Sequence, residues 1–115
     1  MKLLRLAVTA NLEANLDAFE AASAGGDQTV LYRTLERLEV MCLLLRRQPH
    51  LGRPYVSPSA GDEAALILDI RERLGGGEVR ELVLGEYLVL YLAGARALHL
   101  LAIRHHRQNR YDFGG

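Results

Sequence analysis

The fold is decided by the last third of the chain, which is Glu78-Val-Arg-Glu-Leu-Val-Leu-Gly-Glu-Tyr-Leu-Val-Leu-Tyr-Leu-Ala-Gly-Ala-Arg-Ala-Leu-His-Leu-Leu-Ala-Ile-Arg-His-His-Arg107. Two short breaks, Gly85-Glu86 and Ala93-Gly94-Ala95-Arg96, divide it into three runs rich in Val, Ile, Leu and Tyr. Such runs, separated by short turns that contain glycine, are typical of an antiparallel meander. The stretch therefore predicts three consecutive strands that end in a basic, histidine-containing cluster.

The middle strand of this meander is apolar on both faces. A two-residue connection at Gly85-Glu86 places Leu84 opposite Tyr87 and alternates the side chains that follow between the two faces. One face carries Leu88, Leu90 and Leu92, and the other carries Tyr87, Val89 and Tyr91. Helices must cover one face, and we expect the other to be concave, to self-associate or to be covered by a partner.

The N-terminal half predicts one short strand and two helices. Residues 3–8 form the strand, and Thr9 or Asn11 caps a first helix that ends near Gly25-Gly26. Asp27 is the candidate N-cap of a longer second helix, which Pro49 and the residues after it stop. The apolar stripes of the two helices are Leu12, Leu16 and Phe19, then Leu31, Leu35, Leu38, Cys42 and Leu45. The two helices are expected to form a hairpin that buries both stripes.

A third, short helix is predicted at residues 62–74. Ile67, Ile70 and Leu74 are in phase there, and Ser59 and Asp62 have capping-box spacing. Because glycines flank it, this segment is a candidate mobile insertion. The predicted class is thus α+β, with a single domain at residues 1–115. An N-terminal strand and a two-helix hairpin pack on a small antiparallel sheet, the C-terminal three-stranded meander.

Composition limits the function classes. The 115 residues suffice for one core, and the formal net charge of zero argues against a protein that coats nucleic acid through bulk positive potential. The charge is nevertheless uneven, since residues 96–115 carry four arginines against the single acid Asp112. This basic end is either a solvated terminus or a binding surface for an anionic partner.

The sequence also favours a cytoplasmic protein without a membrane segment. The single cysteine, Cys42, lies in an apolar helical run and has no partner for an intrachain disulfide, which fits a reducing compartment. Arg5 interrupts the apolar N-terminus, so no export signal is evident. Residues 82–103 contain Glu86, Arg96 and two glycine turns, which argue against a spanning helix. No cofactor is expected.

The order of these elements resembles the RelE/ParE superfamily of toxins from bacterial type II toxin-antitoxin modules, and is closest to the ParE-like branch. In that branch a Pro-x-x-Gly-Arg-Pro element follows the second helix, an arginine opens the next strand, a strand with tyrosines follows, and an Ile-x-His-x-Arg pattern closes the sheet. The corresponding stretches are Gln48-Pro49-His50-Leu51-Gly52-Arg53-Pro54, Val79-Arg80-Glu81-Leu82, Tyr87-Leu88-Val89-Leu90-Tyr91 and Leu101-Ala102-Ile103-Arg104-His105-His106-Arg107-Gln108. The departure is residues 56–77, a segment longer than the family usually has there.

The resemblance implies a growth-inhibiting toxin that a cognate antitoxin neutralises, with a role in plasmid stabilisation. ParE-like members poison DNA gyrase, whereas RelE-like members cut messenger RNA on the ribosome. Gyrase is therefore the expected target, and the ribosome with its messenger RNA is the alternative. A homodimer, or a heterotetramer with the antitoxin, is compatible with the resemblance. A small non-toxic module that oligomerises through its sheet is the second alternative.

The chemistry of RNA cleavage favours binding over catalysis. Cleavage by the 2′-hydroxyl needs a base, a cation that faces the phosphate and an acid for the leaving oxygen. The candidates for a nuclease are Arg80, His105, Arg107 and Tyr91. A credible base is missing, because Lys2 is the only lysine and the three acidic residues of the meander are expected in solvent at hairpin edges. These acidic residues are Glu78, Glu81 and Glu86.

Binding to a partner gives a different set of candidate residues. They are Arg104, His106, Arg107, Arg110 and Tyr87. A disordered antitoxin tail is expected to add a strand or helix to the apolar sheet and to neutralise the arginines. His105 and His106 point to opposite faces if the strand continues. No metal site is expected, because no acidic or cysteine ligand lies near the histidines in sequence.

Overall fold

The computed structural model of the protein describes residues 3–23, 26–57 and 61–114. The elements in chain order are β1 Arg5–Val8, α1 Ala10–Ala22, α2 Thr29–Leu45, β2 Arg53–Pro54, α3 Asp62–Arg73, β3 Glu78–Leu84, β4 Tyr87–Ala93 and β5 Ala97–His105. The class is α+β, as predicted. The first strand, the three helices and the C-terminal meander are all confirmed.

The five strands form one mixed sheet with the order β1-β5-β4-β3-β2. β1 pairs in parallel with β5, and the other neighbours are antiparallel. Leu84 lies opposite Tyr87 across the tight turn, as the two-residue connection predicted. The sequence did not predict β2, a strand of only two residues that pairs with Arg80 and Glu81 on the outer side of β3.

The predicted N-cap residue is found at the start of α1 but not at the start of α2. The Thr9 hydroxyl accepts from the backbone N–H of Leu12 and so caps α1. The N-cap position of α2 is Gln28, which makes no side-chain capping bond. Asp27 lies one residue earlier, where its carboxylate accepts from the backbone N–H of Thr29 at 2.9 Å. The prediction of Asp27 as the N-cap is therefore wrong by one position, because Asp27 forms an Asx-type turn before the helix.

One face of the sheet packs against α1 and α2. Leu12 of α1 and the α2 stripe that includes Cys42 meet the sheet residues Tyr87, Val89 and Tyr91 in one buried cluster. Burial raises the pKa of the Cys42 thiol, consistent with its predicted place in the core. No helix among residues 3–23, 26–57 and 61–114 has the length and apolar character needed to cross a bilayer.

The other face of the sheet is covered by the chain itself. Its buried residues are Leu88, Leu90, Leu92, Leu101, Ala102 and Tyr111. Ile67 and Ile70 of α3 pack against them, as do Tyr55 and Phe113. The expectation that a partner or a second copy covers this face is therefore wrong, because the segment between β2 and β3 is long enough to lay a helix across it.

Glycines on both sides of α3 allow the chain to leave the sheet before this helix and to return to the sheet after it. Gly61 precedes the helix with a φ of 142°, and Gly75, Gly76 and Gly77 follow it with φ values of 92°, 87° and 126°. A Cβ at Gly77 would lie 2.6 Å from the carbonyl oxygen of Ala93, so the backbone approaches β4 too closely for a side chain. Ser59, the predicted capping residue, lies outside the described residues.

Burial of β4 predicts a large difference between two valines of the sheet. Val89 is fully buried beneath the helices, whereas Val83 is 52% exposed on the other face. Val89→Ala should lower the free energy of unfolding by about 2 kcal/mol, because it removes two methyl groups and leaves a cavity. Val83→Ala, the matched control, should change it by less than about 0.5 kcal/mol. Urea denaturation measures both, and equal effects would contradict the two-sided core.

Candidate functional site

The carboxylate of Glu81 is buried in the middle of the sheet. Glu81 is 4% exposed and lies in β3, on the face that α3 covers. The prediction that it lies in solvent at a hairpin edge is wrong, because Arg53 of β2 pairs directly outside it. Glu78 and Glu86 are exposed, as predicted. A buried carboxylate needs hydrogen-bond donors or a cation to offset its desolvation.

Two side chains form hydrogen bonds with this carboxylate, and a third lies near it. Arg53 donates to Oε1 from Nε at 2.9 Å and from Nη2 at 2.6 Å. The hydroxyl of Tyr111 donates to Oε2 at 2.6 Å. Arg104 of β5 lies farther away, with Nη2 at 4.0 Å from Oε2 and its guanidinium carbon 5.2 Å from the centre of the Tyr111 ring. We call Glu81, Arg53, Arg104 and Tyr111 the Glu81 network.

A second carboxylate extends this arrangement toward α3. Tyr55 meets Tyr111 edge-to-face, with the ring centres 5.7 Å apart. Its hydroxyl donates to Oε1 of Glu63 at 2.5 Å, and the Ser57 hydroxyl donates to the same oxygen at 3.1 Å. Glu63 lies in the first turn of α3, where the helix dipole favours a negative charge. Its Oε2 is buried without a hydrogen-bond partner among the described residues.

Both tyrosines are held in their neutral form. Burial, followed by the hydrogen bond to Glu81, raises the pKa of Tyr111 far above its usual value. Burial and the hydrogen bond to Glu63 likewise raise the pKa of Tyr55. A neutral phenol is the form that donates to a carboxylate, so both tyrosines act here as fixed donors.

The Glu81 network borders a cleft of about 360 Å³. Its lining residues are Arg53, Pro54, Tyr55, Val56, Glu81, Arg104 and Asn109. Two guanidinium groups at its wall suit an anionic group of a ligand. Both oxygens of Glu81 already accept hydrogen bonds, so three of the roughly four acceptor positions of this carboxylate are filled.

Arg80 and Tyr91, two of the nuclease candidates, hold a loop in place on the opposite face. Arg80 forms an ion pair with Glu78 and donates to the carbonyl oxygens of Gly52 at 2.7 Å and His50 at 3.0 Å. Tyr91, which is fully buried, donates to the carbonyl oxygen of Pro49 at 2.7 Å. It also accepts from the Gly52 N–H at 2.8 Å. Both side chains therefore fix the Pro49–Pro54 turn.

His105 and Arg107, the other nuclease candidates, lie at a different end of the sheet. Tyr91 pairs with Arg80, whereas His105 pairs with Tyr87, four residues away along β4. Four residues of a strand span about 13 Å, so the four candidates do not meet in one site. His105 and His106 do not point to opposite faces, because β5 ends at His105. Their rings lie 4.5 Å apart between centres.

The candidates for partner binding separate into surface and buried groups. Arg107, Arg110 and His106 are exposed. The side chain of Arg104 is only 17% exposed, and its Nη1 donates to the Gln108 carbonyl oxygen at 2.5 Å. Tyr87 is 9% exposed and packs edge-on against Phe19 beneath the helices. We call the exposed residues His106, Arg107 and Arg110 the basic end.

The Glu81 network was missed because its members lie far apart in sequence. Two signals were present: Glu81 interrupts an apolar strand, and the aromatic residues Tyr111 and Phe113 stand in a polar tail. The two arrangements that the structure offers are thus the Glu81 network, which is largely buried, and the basic end, which is accessible. The chain matched no protein-family model and no curated protein.

Removal of the Tyr111 hydroxyl should destabilise the protein. Tyr111→Phe leaves Oε2 of the buried Glu81 with only the distant Arg104, so the free energy of unfolding should fall by about 1–3 kcal/mol. Tyr32→Phe is the matched control, because its exposed hydroxyl bonds to the Gln28 side chain. Tyr32→Phe should change the free energy of unfolding by no more than about 0.5 kcal/mol. If urea denaturation gave the same loss in the free energy of unfolding for both variants, the hydrogen bond from Tyr111 to Glu81 would not stabilise the protein.

The raised pKa of Tyr111 also predicts a pH dependence. In the unfolded chain this tyrosine loses its proton near pH 10, while the folded protein retains it. The contribution of Tyr111 to the free energy of unfolding is therefore fully present below about pH 10. It is lost as the pH rises above that value, by up to about 1.4 kcal/mol per pH unit. Denaturation between about pH 8 and 11 should show a shallower decline for Tyr111→Phe. Identical slopes would contradict the prediction.

Proposed function

We propose that the protein is the toxin of a type II toxin-antitoxin module, similar to the ParE-like branch of the RelE/ParE superfamily. It acts in the cytoplasm by binding and poisoning DNA gyrase, and a cognate antitoxin neutralises it. The resemblance implies a small sheet packed on two helices, and the packing of one sheet face on α1 and α2 supports this. The parallel pairing of β1 with β5 joins both ends of the chain in that sheet.

The motif residues have structural roles that agree with a binding protein. The Tyr91 hydroxyl donates to the Pro49 carbonyl oxygen and accepts from the Gly52 N–H, and Arg80 donates to the carbonyl oxygen of Gly52. A Cβ at Gly52 would lie 2.6 Å from the Tyr91 hydroxyl, so this turn admits only glycine without rearrangement. The ParE-like pattern is thus explained by the packing of the turn on the sheet and requires no catalysis.

The observation that carries the proposal is the basic end. β5 lies between β1 and β4 and is buried along most of its length, so the residues that follow it leave from a rigid position. Arg107 and Arg110 project there without a salt-bridge partner among the described residues. A cationic surface suits the recognition of an anionic partner and accelerates its association.

The same surface is the proposed binding site of the antitoxin. Because α3 and the C-terminal segment cover the second sheet face, an antitoxin tail finds no open apolar sheet there. An acidic tail that orders on binding can instead pair with Arg107 and Arg110. The proposed assembly is a homodimer or a heterotetramer with the antitoxin, and light scattering of the free toxin and of the complex measures the mass.

A ribosome-dependent ribonuclease is the second candidate function. The observation that favours it is the Glu81 network, which places a carboxylate and two guanidinium groups beside one cleft. The phenol of Tyr111 is hydrogen-bonded to that carboxylate. Glu81 would serve as the base after Arg53 turns to the phosphate, and Arg104 would stabilise the developing charge. The existing bonds to both oxygens of Glu81 oppose this function in the free protein.

Controlled expression in bacteria separates the two functions. We expect growth arrest that co-expression of the antitoxin relieves, with induction of a DNA-damage reporter and intact messenger RNA. Purified protein should stabilise cleaved DNA in a gyrase assay. Arrest with cleaved messages, abolished by Glu81→Gln in protein that still folds, would establish the ribonuclease instead. If expression caused no growth arrest, the protein would instead be the non-toxic interaction module.

Charge reversal at the basic end should weaken the antitoxin complex. Arg107→Glu places a negative charge where an acidic tail binds, so the dissociation constant should rise about tenfold at moderate salt. Arg33→Glu, on the exposed side of α2, is the matched control because it changes the net charge equally. Calorimetric titration measures both. If Arg107→Glu left the affinity for the antitoxin unchanged, the basic end would not be part of the interface.

A further inference from the structure

Three metal-ligating side chains meet where the β3–β4 turn passes the end of β5. They are Glu86, His105 and His106. One carboxylate oxygen and one nitrogen from each imidazole lie within 4.8 Å of one another. Among the residues that the structure describes, this is the only group of three such side chains so close together.

The sheet brings these residues together although they lie about twenty positions apart in sequence. Tyr87 pairs with His105, which places Glu86 of the turn beside the end of β5. The backbone N–H of His106 then donates to the carbonyl oxygen of Glu86 at 2.7 Å and fixes the two segments to each other. Sequence spacing suggested no acidic partner for the histidines, and the register of β4 and β5 supplies one.

We propose that Glu86, His105 and His106 bind a divalent transition-metal ion such as Zn²⁺. Two imidazoles and one carboxylate are a ligand set that zinc accepts, and in such three-ligand sites water or a partner group occupies the fourth position. Glu86 and His106 are exposed and His105 is partly buried, so an ion reaches the site from solvent. The site does not depend on the proposed toxin function.

The contacts already made by the ligands permit binding. Nδ1 of His105 accepts from the backbone N–H of Arg107 at 3.2 Å, the long end of the usual range, so its loss costs little. The His105 ring also meets Tyr87 edge-to-face with the centres 5.1 Å apart, which limits its rotation. Among the described residues, no side-chain hydrogen bond engages Glu86 or His106, so both can turn toward an ion.

Calorimetric titration of Zn²⁺ into the untagged, chelator-treated full chain tests the site. We expect one ion per chain with a dissociation constant in the micromolar range. Glu86→Gln and His106→Ala should each weaken binding about tenfold or more. Both side chains are exposed, so neither change should disturb the fold. His50→Ala is the matched control, since the His50 side chain is exposed and pairs with the carboxylate of Glu78, away from the proposed site.

A second readout identifies the ligands directly. Co²⁺ should give visible absorption bands typical of a site with nitrogen ligands, and His106→Ala should reduce them. The proposal is overturned if Zn²⁺ does not bind in the micromolar range. It is also overturned if both variants bind as tightly as the unmodified protein, or if His50→Ala weakens binding as much as they do.

Discussion

The burial of β4 on both faces is the constraint on which the rest of the structure depends. All seven of its residues are buried. Each face therefore needs its own apolar cover, and α1 and α2 provide it on one side while α3 and the C-terminal segment provide it on the other. Because both faces of the sheet are occupied, the surfaces that remain for function are its ends, its edges and the turns between strands.

The Glu81 network is the polar exception within the second layer. The side chain of Glu81 is 4% exposed and that of its ion-pair partner Arg53 is 61% exposed, so the desolvation cost falls mainly on the carboxylate. Removal of a donor leaves this buried charge less compensated and is costly. Arg53 and Tyr111 approach Glu81 from β2 and from the C-terminal segment, two parts of the chain that propensity alone does not hold in place. The network thus specifies where these two segments lie more than it adds to the free energy of unfolding.

The sequence predicted the elements that follow from local periodicity. It did not predict the contacts that depend on pairing between distant parts of the chain. Alternation and glycine breaks located β3, β4 and β5, and the three-four spacing located the buried stripe of α2. β2 has two residues, too few for a period, and without it Glu81 was assigned to solvent. A register irregularity beside Leu90 and Tyr91 places the consecutive residues Leu101 and Ala102 in the same cluster, so simple alternation fails beyond it.

The end of β5 joins the two proposed binding events, because His106 belongs to both the basic end and the metal-ligand cluster. A bound divalent ion would add positive charge one residue from Arg107, and so it would strengthen the attraction of an acidic partner. Coupling between two ligands is reciprocal, so that partner would raise the affinity for the ion by the same factor. The turn that ends β5 at His105 creates both surfaces at once, since it turns the chain out of the sheet and sets the two imidazoles side by side.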